Sequence, residues 1–141
     1  MLKGIPSIIS PDMMKVLMEM GHGDEVVLAD ANFPAASCAQ RLVRCDGHRV
    51  SDLLAAILHY FPLDRSVDMP VVLMAVSGNE PIPDVWKEYK RTIQLHGEFR
   101  GFEYIDRFSF YERAKSAYAI IATGDQAPKA NILLKKGVVR E

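Results

Sequence analysis

His22 stands between Gly21 and Gly23, and Asp24-Glu25 leads from it into the apolar run Val26-Val27-Leu28-Ala29, which ends at Asp30. Imidazole titrates near neutral pH, so one such ring beside one acid can give and take a proton within a single reaction. Glycine on either side removes Cβ bulk and permits backbone angles that other residues avoid. That places His22 on a tight turn where a substrate can approach closely. A helix C-cap with a solvated histidine beside it fits the same spacing. Two further junctions carry polar groups that can join one site with His22 and Asp30. One is Asp106-Arg107 with Tyr111 a turn later; the other runs from Gly124-Asp125 to Asn131. An arginine fork can hold a hydroxyl, a tyrosine lends its own, and an asparagine offers both a donor and an acceptor. Each also has an ordinary role, as a solvated cation, a packing ring or a turn cap.

The elements that must position these residues are readable in order. Ser10-Pro11-Asp12 is a helix start, with an N-cap hydroxyl, proline at the first helical position and an acid in the first turn. Met13, Val16, Leu17 and Met20 recur at helical spacing, and Gly21 supplies the stop. Glu25 to Ala29 reads as a strand buried on both faces. Leu42-Val43-Arg44 predicts a short strand with an Asp46-Gly47 turn after it. Ser51 is expected to cap a helix of Leu53, Leu54, Ile57, Leu58 and Phe61, ended by Pro62. Val71 to Val76 is the clearest strand, and Val85, Trp86, Tyr89 and Ile93 make the stripe of the next helix. Strands at 102–105, 118–123 and 132–134, with a helix from 106 to 117 between the first two, complete the chain. His48 and His59 read as solvated, and His96 as a helix cap whose cationic form the dipole favours. The alternation predicts an α/β fold, a single-domain sandwich of helices around a mainly parallel or mixed sheet over residues 1–141.

Composition narrows the chemistry. A chain of 141 residues with 17 basic and 18 acidic side chains has no field that draws nucleic acid or an anionic membrane. No apolar run approaches the ~20 residues of a membrane span, and no secretory leader is evident, so a cytoplasmic protein is expected. Cys38 and Cys45 lack paired spacing and read as reduced, half-buried residues. There is no GxxxxGK[ST] loop, no GxGxxG after the first strand, no GxSxG elbow and no HExxH. What remains points to proton transfer without a metal or other cofactor.

The chain resembles the L-fucose mutarotase family, within a wider group that includes the D-ribose pyranases. The resemblance is carried by Leu2-Lys3-Gly4-Ile5-Pro6, Ser10-Pro11, Met20 to Glu25, Leu28 to Pro34, Asp46-Gly47 and Pro62-Leu63-Asp64. It continues through Arg107-Phe108, Phe110 to Ala114, Ala122-Thr123-Gly124 and Asn131 to Gly137. The arginine and aromatic segments look like the fucose branch. The resemblance implies an isomerase that interconverts the α and β anomers of a free sugar such as L-fucose, with His22 as proton donor. It implies sugar contacts at Asp30, Arg107, Tyr111, Lys129, Ala130 and Asn131, with Asp64 as a further position. It also implies a homo-oligomer, often a ring-shaped decamer, with sites near subunit contacts. Phe108, Phe110 and Tyr111 are expected to be exposed and to bury against such a neighbour. The family usually has a tyrosine where this chain has Lys129, so a flexible cation replaces a ring that can stack on a sugar. A non-catalytic sugar-binding or regulatory protein on this scaffold, or a D-ribose pyranase, draws on the same residues.

Overall fold

The first helix forms for the reasons its residue types predict. Ser10 Oγ accepts from the Met13 amide at 3.1 Å, and Pro11 takes the first position, where no amide donor is needed. In the structure, a computed structural model describing residues 1–140, this helix α1 (Pro11–Glu19) buries Met13, Val16 and Leu17. Met20 is already extended, with Gly21 directly after it. Strand β1 (Glu25–Ala29) follows, then α2 (Ala35–Cys38), β2 (Leu42–Cys45), α3 (Val50–Ile57) and β3 (Val71–Met74). The chain ends with α4 (Val85–His96), β4 (Glu103–Ile105), α5 (Arg107–Ser116), β5 (Ala119–Thr123) and β6 (Ile132–Lys135).

The six strands form one sheet in the order β2-β5-β1-β6-β3-β4. Every pair is parallel except the two made by β6, which runs antiparallel to both β1 and β3. The sheet is therefore mixed, as the alternation of elements anticipates. Its central strands are buried on both faces, which is why they read as unbroken apolar runs. Val26, Leu28, Leu73, Ile121, Ile132 and Leu134 point into the layer built by α1, α3 and α4. Val27, Ala29, Val72, Ile120 and Leu133 point into the layer of α2 and α5, closed by Phe33 and Phe110.

Several local expectations are corrected. Helix α2 falls in a stretch too short to show a helical period. Helix α3 starts one residue before Ser51, with Arg49 at its N-cap position and no side-chain cap there. Its orphan Val50 amide instead donates 3.0 Å to the buried Asp125 carboxylate, while the Ser51 hydroxyl donates to Glu88 at 2.9 Å. Asp125 thus caps a helix from 75 residues away, a role no local pattern reveals. His59 is exposed as expected, but its ring meets His96 edge-on at 4.8 Å. Partial burial first, and then His59, push the His96 pKa down, opposite to the dipole effect. Cys38 and Cys45 are free thiols and buried, not half-buried. No helix among the described residues is long and apolar enough to cross a membrane.

One piece of backbone carries both sides of a turn cluster at the amino end of β1. The Gly23 amide donates to Lys136 O at 2.8 Å, and the Lys136 amide returns a bond to Asp24 O at 2.8 Å. On its other side the Asp64 amide donates to Lys135 O at 3.0 Å, and Gly137 to Pro62 O at 2.7 Å. Residues 135–137 therefore hold the His22 turn and the Asp64 loop together. The contact is tight enough that a Cβ on Gly137 would lie 2.6 Å from Leu63 O. We expect Gly137→Ala to cost about 1–3 kcal/mol, as overpacking of a close contact does. Gly47→Ala, where an added Cβ meets nothing within 4 Å, should stay within ~0.5 kcal/mol. Thermal unfolding of the two variants beside the parent checks the difference.

Candidate active site

The sheet has two ends, and the polar residues divide between them. At the carboxyl end of β1, Asp30 follows Ala29 directly, and the antiparallel entry of β6 brings Asn131 alongside. The Asp30 amide donates to Asn131 Oδ1 at 2.7 Å, and Asp30 Oδ1 accepts from the Asn32 amide at 3.0 Å. Both side chains are buried. Burial pushes the Asp30 pKa up, against the lowering effect of the Asn32, Phe33 and Ala130 amides around the carboxyl; the Asp125 carboxylate pushes the same way as burial, more weakly. A carboxyl group ringed by backbone donors and lifted above its ordinary value is suited to trade a hydroxyl hydrogen.

Strand β4 is parallel to β3 and delivers Asp106-Arg107 to this same end. Asp106 caps α5, accepting from the Phe108 and Ser109 amides, so Arg107 and Tyr111 stand in the first turns of a well-started helix. Arg107 Nε donates to Tyr111 Oη at 3.0 Å, and its guanidinium lies over the Phe108 and Tyr111 rings. Phe33 meets Tyr111 edge-on at 5.3 Å, tying the loop after Asp30 to α5. Of the aromatics expected at the surface, Phe110 is instead fully buried and Tyr111 half-buried, because they face Phe33 and the sheet; Phe108 alone is exposed, at 70%.

Lys129 and Ala130 lead into β6 at this end. Ala130 is buried, and its carbonyl accepts from Tyr89 Oη at 2.7 Å. The Lys129 side chain is not the flexible cation expected from its type. Its Nζ donates to Ala75 O at 2.9 Å, and the side chain is only 17% exposed.

His22 lies at the other end. From Asp24 to Asp30 the chain is extended or nearly so, and at ~3.3 Å per residue the two site residues stand roughly 20 Å apart. The expected pairing of His22 with Asp30 does not form, because a whole buried strand separates them. His22 Nε2 instead lies 3.1 Å from Asp64 Oδ1, with the imidazole half-exposed and the carboxylate 4% exposed. The same oxygen accepts from the Ser66 amide at 2.9 Å and the Ser66 hydroxyl at 2.7 Å. These two bonds chiefly, with the His22 contact adding, hold the Asp64 pKa down at about 2 despite its burial. Asp64 is thus ionised at neutral pH and can only accept. A neutral His22 must then carry its proton on Nε2, which leaves the Nδ1 lone pair to exchange protons with a substrate. Sequence reasoning placed Asp64 among the sugar contacts and missed this pairing, as it missed Ser66; the residues involved are 42 positions apart.

The chain matches the RbsD / FucU transport protein family over residues 3–139. It belongs to that family. A fucose mutarotase from Streptococcus pneumoniae, solved in complex with L-fucose, is 54% identical, with a TM-score of 0.96 over 99% of this chain and 100% of that one. FucU from Bifidobacterium longum is 47% identical, with a TM-score of 0.94 over 98% and 100% of the two chains. RbsD from Bacillus subtilis, solved with D-ribose, shares the fold at 23% identity and a TM-score of 0.76, over 99% and 100%.

The depressed pKa of Asp64 has a stability consequence. A carboxylate held below its ordinary 3.8 stabilises the fold at any pH above that value, and the contribution disappears as pH falls towards about 2. Asp64→Asn should therefore lose stability at pH 7 and show a shallower decline between pH 4 and 2 than the parent. Melting temperature against pH for both proteins measures this; parallel curves would show that Asp64 is not held in this way.

Proposed function

We propose that this family member is a cofactor-free mutarotase of the fucose type, interconverting the α and β anomers of free L-fucose at sites shared by two copies of the chain. The observation that carries the chemical part is the oriented imidazole of His22, backed by an ionised, buried Asp64. The fucose mutarotase at 54% identity, solved with L-fucose, supports the choice of sugar.

Mutarotation opens a cyclic hemiacetal and closes it on the other face. A proton must reach the ring oxygen while another leaves the anomeric hydroxyl. His22 takes the anomeric hydroxyl proton on Nδ1 and returns it on the other face, with Asp64 stabilising the imidazolium in between. The raised Asp30 carboxyl gives the ring oxygen its proton and takes it back on closure. Asp30, Asn131, Arg107 and Tyr111 offer the hydroxyl acceptors and donors that hold a pyranose. Because these groups sit some 20 Å from His22 along the strand, a sugar held by them meets the His22 of a neighbour. Such a contact joins the carboxyl end of one copy to the amino end of the next. Repeated head to tail, it closes into a ring when the rotation allows, which fits the ring-shaped homo-oligomer, often a decamer, that the resemblance implies. Phe108, the one exposed aromatic beside Arg107, is the natural side chain to bury there. Two unpaired buried thiols fit a reducing, cytoplasmic setting.

Anomer exchange of L-fucose, read by saturation-difference NMR, tests the reading. His22→Gln should lose exchange by ~10²–10⁴-fold, the usual cost of a general acid–base, while the fold and sugar binding survive. Binding by the parent without exchange above buffer would reject the enzyme in favour of a sugar-binding protein. Faster exchange of D-ribose than of L-fucose would move the assignment to the pyranases. The shared site has a test of its own. When His22→Gln and Asp30→Asn chains are co-expressed, random head-to-tail pairing leaves about a quarter of the contacts with both native residues. Activity should return in the mixture; silence in a mixed ring of confirmed composition would place the whole site within one chain. Phe108→Ser should lower the assembly state seen by light scattering, and an unchanged parent-sized particle would exclude Phe108 from the contact.

A further inference from the structure

Residues 75–84 connect β3 to α4 and pass the carboxyl end of the sheet, where the proposed sugar contacts lie. One side chain ties this segment down. Lys129 has φ +56, in the left-handed region that side chains rarely adopt. It is held there because its carbonyl accepts from Trp86 Nε1 at 3.0 Å and the next carbonyl from Tyr89 Oη. From that backbone its Nζ reaches Ala75 O at 2.9 Å and lies 3.6 Å from Glu80 Oε1. Glu80 Oε1 also accepts from the Ser77 amide at 2.9 Å and the Ser77 hydroxyl at 2.6 Å. The ammonium therefore joins the residues before Asn131 to both limbs of the 75–80 turn. Ser77 first, and Lys129 more weakly, hold the Glu80 pKa below the usual carboxylate range, so the acid is charged at neutral pH.

We propose that Lys129 is a positioning residue. It acts through the 75–84 segment, and because its charge is met within the protein, the pocket selects neutral over acidic sugars. This deepens the mutarotase reading and rests on it. An exposed ion pair alone is weak, but here a charged donor also meets a carbonyl at short range in a largely enclosed position, where such bonds are stronger. A sugar carboxylate entering beside Lys129 would face the Glu80 carboxylate as well, with the lysine charge already met.

Two measurements separate the clamp from the chemistry. Amide hydrogen exchange needs no sugar. In Lys129→Met and in Glu80→Gln, amides 76–80 should exchange about tenfold faster than in the parent, and Lys129→Arg should restore protection. Anomer-exchange NMR on L-fucose and D-galacturonate reads selectivity. The parent should turn over L-fucose and leave the hexuronate at the buffer rate. Lys129→Met should raise KM for L-fucose about three- to tenfold with kcat within about twofold. Glu80→Gln, which releases the lysine charge, should gain binding of the hexuronate. Unchanged protection of 76–80 in Lys129→Met would overturn the clamp, and a parent that exchanges the hexuronate as fast as L-fucose would overturn the selectivity. A parent that exchanges no sugar defeats the mutarotase reading instead, and the clamp then stands or falls on amide protection alone.

Discussion

Five residues of buried, extended chain separate the turn that carries His22 from the loop that carries Asp30. A strand paired on both sides and buried on both faces cannot shorten or bend to bring its ends together, since that would break its ladders with β5 and β6. That single length divides the polar residues of the chain into two half-sites. The amino end holds the His22 imidazole and the Asp64 carboxylate bonded to it. The carboxyl end holds a raised carboxyl, an amide, an arginine and a phenol. Either set alone is chemically incomplete for hemiacetal opening, which needs a sugar gripped and a proton moved in one place.

Strand β6 is what makes each half-site well formed. Because it enters antiparallel between β1 and β3, its first residue pairs with Leu28 near the end of β1 and its last with Glu25 at the start. Asn131 thereby reaches the Asp30 amide at one end. At the other, the carbonyls and amides of Lys135 to Gly137 hold the His22 turn on one side and the Asp64 loop on the other. A parallel strand in the same slot would send both ends to the wrong places. The close approach at Gly137 follows from the same demand: only a residue without Cβ lets Leu63 lie against β6 and bring Asp64 within reach of His22. The electrostatic results differ between the ends for a simple reason. Asp64 receives two donors from Ser66 on a single oxygen, and these outweigh its burial. Asp30 is surrounded by backbone amides, yet burial wins.

Much of the fold was legible because burial on both faces and amphipathic spacing leave plain marks on a sequence. All six strands and the four longer helices fall where the apolar periods put them, within a few residues at the ends. What escaped has physical reasons. Helix α2 is a single turn, too short for a period to register. The cap of α3 comes from Asp125 and not from the serine beside it, because tertiary contact overrides the local preference. The two glycines marked His22 as a candidate for proton transfer, but the partner suggested for it was misread. Nearness along the chain favoured Asp30, whereas strand geometry sends Asp30 away and the return of β6 brings Asp64 in. Phe110 and Tyr111 look alike in sequence to Phe108, and only the angle of α5 against Phe33 decides which ring is left outside.

A monomer of this fold leaves a half-exposed imidazole at one end and an exposed phenylalanine beside an arginine at the other. Those are unlike surfaces, so a two-fold contact can match them only where both ends of each copy meet the opposite ends of the other at once. A head-to-tail contact joins one pair of unlike ends at a time, and such contacts either close into rings or run on as filaments. Closure then becomes a condition for a uniform population of active sites, since every open end of a filament is an incomplete one. On the proposed reading, the separation of the two ends by one strand length is therefore also an argument about symmetry: a closed assembly, unlike a filament, leaves no copy without a partner.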